Sequence, residues 1–250
     1  MRKWIEIIAC AAAVCCLAAC QFAEETLEPG LASLTATTEG DGPETRTSLA
    51  PAGTGMSQVL WSENDQLDVF MDGSNTPVLF TLVEGAGTKR ASFHGKGEAG
   101  SYVAFYPHSM TPSLGSGGTV RFTLPATQEY AGDSFASGSF PMTAVSSSND
   151  LRFRNVCSVL RISMKGHNVV TRIVFRSNDP AAKVRGRATV SLSDPDNPVL
   201  QLSSDSCDSL ALSVPDVKLS ESEDTHFFLV LPPQTYKGGF SVRVYSGECN

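Results

Sequence analysis

Few side chains in this sequence have the type and spacing that covalent chemistry needs. His94, His108, His167 and His226 lie far apart, mostly beside turn signals, and none has a second ligand at metal spacing. No G-x-S-x-G, H-E-x-x-H or phosphate loop occurs, and Gly115-Ser-Gly-Gly118 reads as a plain loop. Asp65 with Asp68, and Glu221, Glu223 and Asp224, read as solvated turn residues rather than paired acids and bases. No catalytic residue, metal or cofactor is therefore expected. Two positions do stand where a modifying enzyme could act. Cys20 closes an apolar run and follows Leu17-Ala-Ala19. Arg46 is the sole basic residue between Lys3 and Lys89 and lies in Gly42-Pro-Glu-Thr-Arg-Thr-Ser-Leu49, an exposed-looking stretch of the kind that proteases cut. An arginine-specific protease would find one obvious target there; a solvated arginine with no role fits the same spacing.

Residues 1–19 read as a secretory signal: Met1-Arg-Lys3, an apolar run from Ile5 to Leu17, then small residues. The run is shorter than the roughly 20 residues of a membrane span, and Glu6 interrupts it. Leu17-Ala-Ala-Cys20 resembles a bacterial lipobox. In such signals the cut falls before the cysteine, its thiol receives a diacylglycerol, and the new amine is usually acylated too, with palmitate-type chains. Each buried methylene adds about 0.8 kcal/mol of membrane affinity, and two or more chains give stable anchoring. Cys20 is thus the expected lipidation site.

Residues 20–46 form an acidic lead-in, with Glu24, Glu25, Glu28, Glu39, Asp41 and Glu44 ahead of any basic residue. Its middle, Leu31 to Thr38, has the makings of a weak strand, and the rest reads as tether. Acids soon after a lipidated cysteine resemble surface-export signals of the Bacteroidetes type; an ordinary linker has the same composition. The whole chain carries a formal net charge of −7 and a pI near 5.1, which argues against nucleic acid as a partner. Cys10, Cys15, Cys16 and Cys20 belong to the signal. Cys157, Cys207 and Cys249 are widely spaced and form no CxxC, so buried free thiols are expected, with one disulfide the alternative.

After the lead-in no stretch keeps helical apolar spacing for three turns, and the class is all-β. Leu67, Val69 and Met71 alternate with Asp68 and Phe70 as in a half-buried strand, and Asp72-Gly73 marks a turn. Further strands are predicted around Val78–Val83, Ala91–Phe93, Tyr102–Pro107 and Val120–Pro125. Ala144-Val-Ser-Ser-Ser-Asn-Asp150 is the clearest break, which suggests one domain over 47–148 and a second over 149–250. Beyond it, apolar rows recur at Leu151–Phe153, Leu160–Met164, Ile173–Phe175, Ala188–Leu192, Val199–Leu202 and Leu210–Val214. Phe227-Phe-Leu-Val-Leu231 is apolar at every position, so a central strand is expected there; Phe240, Val242 and Val244 open a last strand. Regular short strands with Gly or Pro between them suggest a sandwich or barrel.

One series of motifs is collectively specific. It runs Thr45-Arg-Thr-Ser48, Trp61, Asp68-Val-Phe70, Phe93-His-Gly95, Tyr102-Val-Ala-Phe-Tyr-Pro107 and Leu124-Pro-Ala-Thr-Gln128. It continues with Pro141-Met-Thr-Ala144, Leu151-Arg-Phe-Arg-Asn155 with Cys157, and Leu231-Pro-Pro-Gln234. In order and spacing this resembles the fimbrillin-like (Mfa-like, FimA-like) lipoproteins of Bacteroidales, over roughly Thr45 to Val244.

The resemblance implies two tandem transthyretin-like Greek-key β-sandwich domains and no enzyme activity. It implies a lipid-anchored subunit of the outer membrane, cut by an arginine-specific protease in the lead-in. The cut would free Leu31–Thr38 and open an apolar groove that a terminal strand of the next subunit fills. Cys20 would carry the lipid and Arg46 would be the cut site, although Thr45-Arg-Thr47 also fits the mere start of the family domain. The sequence runs six residues past Val244, where family members usually carry more β-structure, including the donor strand. Either the sequence is truncated there or this member accepts a strand without donating one; in the second case a tip or anchor role is as consistent as a shaft role. The expected partners are outer-membrane lipid, other fimbrillin-like subunits, and host or bacterial surface glycans or proteins. Asp208-Ser-Leu210 resembles the short O-glycosylation motif of these bacteria. The competing reading is a surface glycan-binding lipoprotein, for which Tyr106, Tyr130 and Tyr236 are the aromatic candidates, Trp61 reading as core.

Overall fold

Alternating apolar residues become strand wherever one side of the row can be buried. The computed structural model describes residues 30–39, 50–52 and 56–247. Cys20, Arg46 and Cys249 lie outside the described residues. In chain order the strands are β1 (Leu31–Thr38), β2 (Ala50–Ala52), β3 (Met56–Gln58), β4 (Gln66–Met71), β5 (Val78–Glu84), β6 (Arg90–Lys96) and β7 (Tyr102–Tyr106). A 3-10 turn at His108–Met110 precedes β8 (Ser113–Gly115), β9 (Thr119–Leu124), β10 (Thr127–Glu129), β11 (Met142–Ser146) and β12 (Asp150–Asn155). Then come β13 (Ser158–Met164), β14 (Val169–Ser177), β15 (Gly186–Ser191), β16 (Val199–Leu202), β17 (Ser209–Lys218), β18 (Thr225–Leu231) and β19 (Phe240–Gly247). The chain is all-β, as its patterning predicts.

The largest sheet closes into a barrel in the order β1-β12-β11-β7-β4-β5-β6. Closure removes free edges, which is one way a sheet avoids unwanted pairing. The inward row of β1 (Ala32, Leu34, Ala36) meets Phe93 and Ala91 of β6 and Leu151 of β12 in register. Gly95 is needed for close approach rather than for φ: a Cβ there would stand 2.5 Å from the Phe80 ring. Trp61, fully buried at 0 % exposure, enters the barrel from the segment after β3. It meets Phe93, Tyr106 and Phe153 edge-on at 5.0, 5.5 and 5.2 Å, as aromatic quadrupoles favour.

A second sheet, β16-β15-β9-β8, covers the outside of the barrel wall. Val120, Phe122, Ala188 and Val190 join the barrel residues in one apolar cluster, with Phe105 and Phe122 4.8 Å apart. β4 is consequently buried on both faces rather than half-buried, and Asp68 and Phe70 lie inside along with Leu67 and Val69. A third body sets β13-β18 against β10-β17-β14-β19 around a separate apolar cluster that includes Ile173, Phe175, Leu212 and Phe227.

Two expectations change. β18 is not central in its sheet, since among the described residues β13 is its sole strand partner. It is apolar on both faces because Phe227, Leu229 and Leu231 enter one cluster while Phe228 and Val230 enter the other. Its outer edge is met by an amide instead of a strand: Gln128 Nε2 donates to Val230 O, and Val230 N–H donates back to Gln128 Oε1, both at 2.8 Å. The break at Ala144–Asp150 is the end of β11, the turn at 147–149 and the start of β12, a hairpin both strands of which belong to the barrel. A divide between 148 and 149 therefore cuts through one sheet. β9 and β10 of the first half also pair with β15 and β17 of the second.

Candidate functional site: the seat of the first strand

β1 lies between two edges that no turn connects to it directly. It runs antiparallel to β6, from Leu31↔Lys96 to Thr37↔Arg90, and parallel to β12, from Thr35↔Asp150 to Thr38↔Phe153. Extra main-chain bonds hold its ends: Thr35 N–H to Asn149 O at 2.8 Å, Thr38 N–H to Lys89 O at 3.0 Å, and Gly97 N–H to Gly30 O at 3.1 Å. The Trp61 indole N–H points at both Ala36 O and Lys89 O, 3.1 Å from each, so one buried ring ties β1 to the β6 side. Thr38 Oγ1 donates to Val59 O at 2.6 Å.

Polar contacts flank the seat on the outside. Glu39 Oε1 accepts the Asn155 N–H at 2.9 Å, and Arg154 stands 3.6 Å from Glu39 Oε2. Arg90 of β6 and Asp150 of β12 approach to 3.8 Å across the outer face of β1. Arg90 is exposed and Asp150 partly so, and at this separation a solvent-screened pair contributes little energy, at most about 1 kcal/mol. β1 itself, Leu-Ala-Ser-Leu-Thr-Ala-Thr-Thr, carries no charge. It is held by backbone pairing and by a narrow apolar row against Phe93, Leu151 and Phe153. Without it, two strand edges and that apolar lining would face water, which is a template for another strand.

Asp65 and Asp68 are not the solvated turn residues that their sequence context suggests; they are 4 % and 3 % exposed. Asp65 accepts from the Ser62 N–H at 2.7 Å and from the Tyr106 hydroxyl at 2.8 Å. Tyr106 also accepts the Gly138 N–H at 3.2 Å, and burial first, then the Asp65 charge, pushes its pKa up. This knits the segment before β4 to β7 and to the segment before β11. Asp68 lies 3.0 Å from His108 Nδ1, and its Oδ2 is buried without a partner among the described residues. Burial raises the Asp68 pKa, and the bond and charge of His108 oppose the shift. A cavity of about 220 Å³ opens beside Asp65, Tyr106 and His108. No sequence signal marked this cluster, because the sheet that buries it is assembled from strands distant in the chain.

The other singled-out residues fall in separate places. His94 lies on β6, His167 faces Glu221 at 2.6 Å, and His226 Nδ1 lies 2.9 Å from Ser163 Oγ. Cys157 is a buried free thiol whose pKa burial raises, and Cys207 is a half-buried free thiol. Tyr106 is internal, while Tyr130 and Tyr236 are half-buried against Phe227 and Phe175 at 5.3 and 5.4 Å. The three do not form an open stacking platform. Ser209 begins β17, and Asp208 beside it pairs with Arg176 at 3.3 Å. Comparison of the chain with family models, with curated proteins and with solved structures finds no match.

Proposed function

We propose that this chain is a cell-surface lipoprotein that serves as a structural or adhesive fimbrial subunit and assembles by strand addition. On this reading it is not an enzyme. Cys20 carries the lipid that holds it to the outer membrane, and Arg46 is the processing site. Its partners are other fimbrillin-like subunits and, in an adhesive role at the tip or anchor, surface glycans or proteins. Two tandem transthyretin-like β-sandwich units, one around the barrel and one around the β13-β18 and β10-β17-β14-β19 sheets, belong to the same reading.

The supporting observation is the seat of β1. The strand is inserted between β6 and β12 by main-chain bonds and three small inward side chains. In the sequence it lies between Cys20 and Arg46. A cut after Arg46 would leave β1 bound by non-covalent contacts alone, and its departure would expose a slot that any suitably patterned strand could occupy. The test treats purified protein with an arginine-specific protease. One cut near Arg46 followed by oligomers on size-exclusion chromatography is expected, and Arg46→Ala should abolish both. Protein that stays intact, or is cut yet stays monomeric, would overturn the shaft role.

A further inference from the structure

The sheet β16-β15-β9-β8 has two unlike faces. Val120, Phe122, Ala188 and Val190 turn toward the barrel, so the residues between them turn away. Register sets Ser113, Arg121, Thr189 and Gln201 in one row across the four strands, and in the next row Thr123 lies opposite Arg187. All six side chains are polar. Arg121, Thr123, Arg187 and Gln201 are exposed in the folded chain, so the fold leaves this face open to solvent.

A cavity of about 370 Å³ lies on this face, with both arginines in its lining. Arg121 leans toward β8 and lies against Gly115, where a Cβ would come within 3.3 Å of the guanidinium carbon. Arg187 leans the other way and pairs with Asp205, just past β16, whose second oxygen accepts from the Ser203 hydroxyl at 2.5 Å. Ser113, Thr123 and Thr189 line the same hollow, and among the described residues no acid does. The volume falls in the range of small-ligand sites, roughly 300–1,000 Å³.

The charge here runs against that of the chain, whose net value is −7. Arg121 and Arg187 hold diagonal positions on paired strands, which are about 7–8 Å apart, and like charges so placed bring the fold no gain. They suit an anion held between them, because a guanidinium fork matches the paired oxygens of an acid group. The hydroxyls around them offer the mixed donors and acceptors that sugar hydroxyls need. An anionic bilayer is a poor fit, since such surfaces are read by clusters of about four to eight basic residues. An acidic peptide is a poor fit too: β9 and β15 are paired along both edges and offer it no strand to join.

We infer that this face binds an acidic glycan, with a carboxylate or sulfate group held between Arg121 and Arg187 and sugar hydroxyls met by Ser113, Thr123 and Thr189. None of these residues belongs to the β1 seat, and binding needs no cut at Arg46.

The experiment uses the uncut full chain and four fluorescently labelled polymers of similar length: polygalacturonate, dextran sulfate, neutral dextran and polyglutamate. Anisotropy should show polygalacturonate or dextran sulfate binding at least ~10-fold more tightly than dextran or polyglutamate. The tighter of the two names the acid group, and added salt should weaken it. Arg121→Gln and Arg187→Gln should each weaken binding ~10-fold, and Thr189→Val, which removes a hydroxyl at constant size, ~3-fold. Arg161→Gln, at an exposed position on β13, should change nothing. The two arginines are exposed, so their variants keep the fold, which thermal melting checks. No binding of either charged glycan, equal binding of dextran, or binding that ignores both arginine variants would overturn the site. Tighter binding of polyglutamate or of phosphatidylglycerol vesicles would overturn the glycan as its ligand, as would self-association lost in the same variants. None of these results depends on proteolysis, so failure here leaves the fimbrial reading to its own test.

Discussion

Trp61 shows how much one side chain can organise. Its ring fills the barrel and its N–H serves two carbonyls, one on β1 and one in the bend just before β6. Trp61→Ala should cost about 3–5 kcal/mol, and Trp61→Phe about 1–3 kcal/mol, since the second keeps most packing and strands the donor's partners. Equilibrium denaturation would measure both. Asp68 gives a pH signature. Its folded pKa lies above the ordinary 3.8. Well below 3.8 the carboxyl is protonated in both states and has no effect on the balance. As pH rises through 3.8 the unfolded chain ionises first, so the fold loses stability until the buried carboxyl ionises too. Asp68→Asn removes this loss. Its stability relative to the parent should climb from pH 4 upward and then level off; a flat difference across acid titrations would contradict the burial argument. Trp61 was legible in the sequence, because a tryptophan in a strand-like apolar segment of an all-β chain has few other places to go. The burial of Asp68 was not. Alternation placed it opposite Leu67 and Val69, which is correct, but which strands cover that outer face is decided by pairing of β9 with β15 across a long sequence separation.

At the level of the element, β1 was readable from eight residues with a period of two. What eluded the sequence was its pair of partners, one parallel and one antiparallel, because register between distant strands leaves no local trace. Leu34 sits at the middle of its inward row, opposite Phe93. Leu34→Ala should destabilise the fold by about 2–5 kcal/mol, and amide exchange in β6 and β12 should quicken more than in β14 or β17. Uniform quickening would mean that β1 does not open as a unit. β18 teaches the reverse lesson. A run of five apolar residues suggested a strand deep in a sheet, whereas burial came from two separate clusters on its two faces. Apolar composition reports burial, not the number of neighbours. Gln128→Ala should strand the Val230 N–H and C=O and cost about 1–3 kcal/mol by denaturant melts.

For the whole molecule, β18 is the shared wall between the barrel-side cluster and the third body. Loss of either cluster takes support from the other, so unfolding should be a single transition in calorimetry. Phe227→Ala and Phe228→Ala, which face opposite clusters, should each lower that one transition and should not split it. Two resolved transitions would show that the bodies melt independently. A break in composition at Ala144–Asp150 resembled a boundary because serine, asparagine and aspartate suit both linkers and tight turns; pairing alone decides between them, and here it makes a hairpin.

The inward row of β1 reads Ala32, Leu34, Ala36, Thr38: small, large, small, small. Opposite it in register stand Gly95, Phe93 and Ala91 of β6 and Leu151 and Phe153 of β12, with the Trp61 ring edge-on to both phenylalanines, and overpacking such a closed row is costly. The seat therefore works as a gauge of side-chain volume. A substitute strand that slid by two residues would present its bulk where a methyl now sits, so the permitted alignment, and with it the spacing of any chain of molecules joined this way, is written in two alanine-sized gaps.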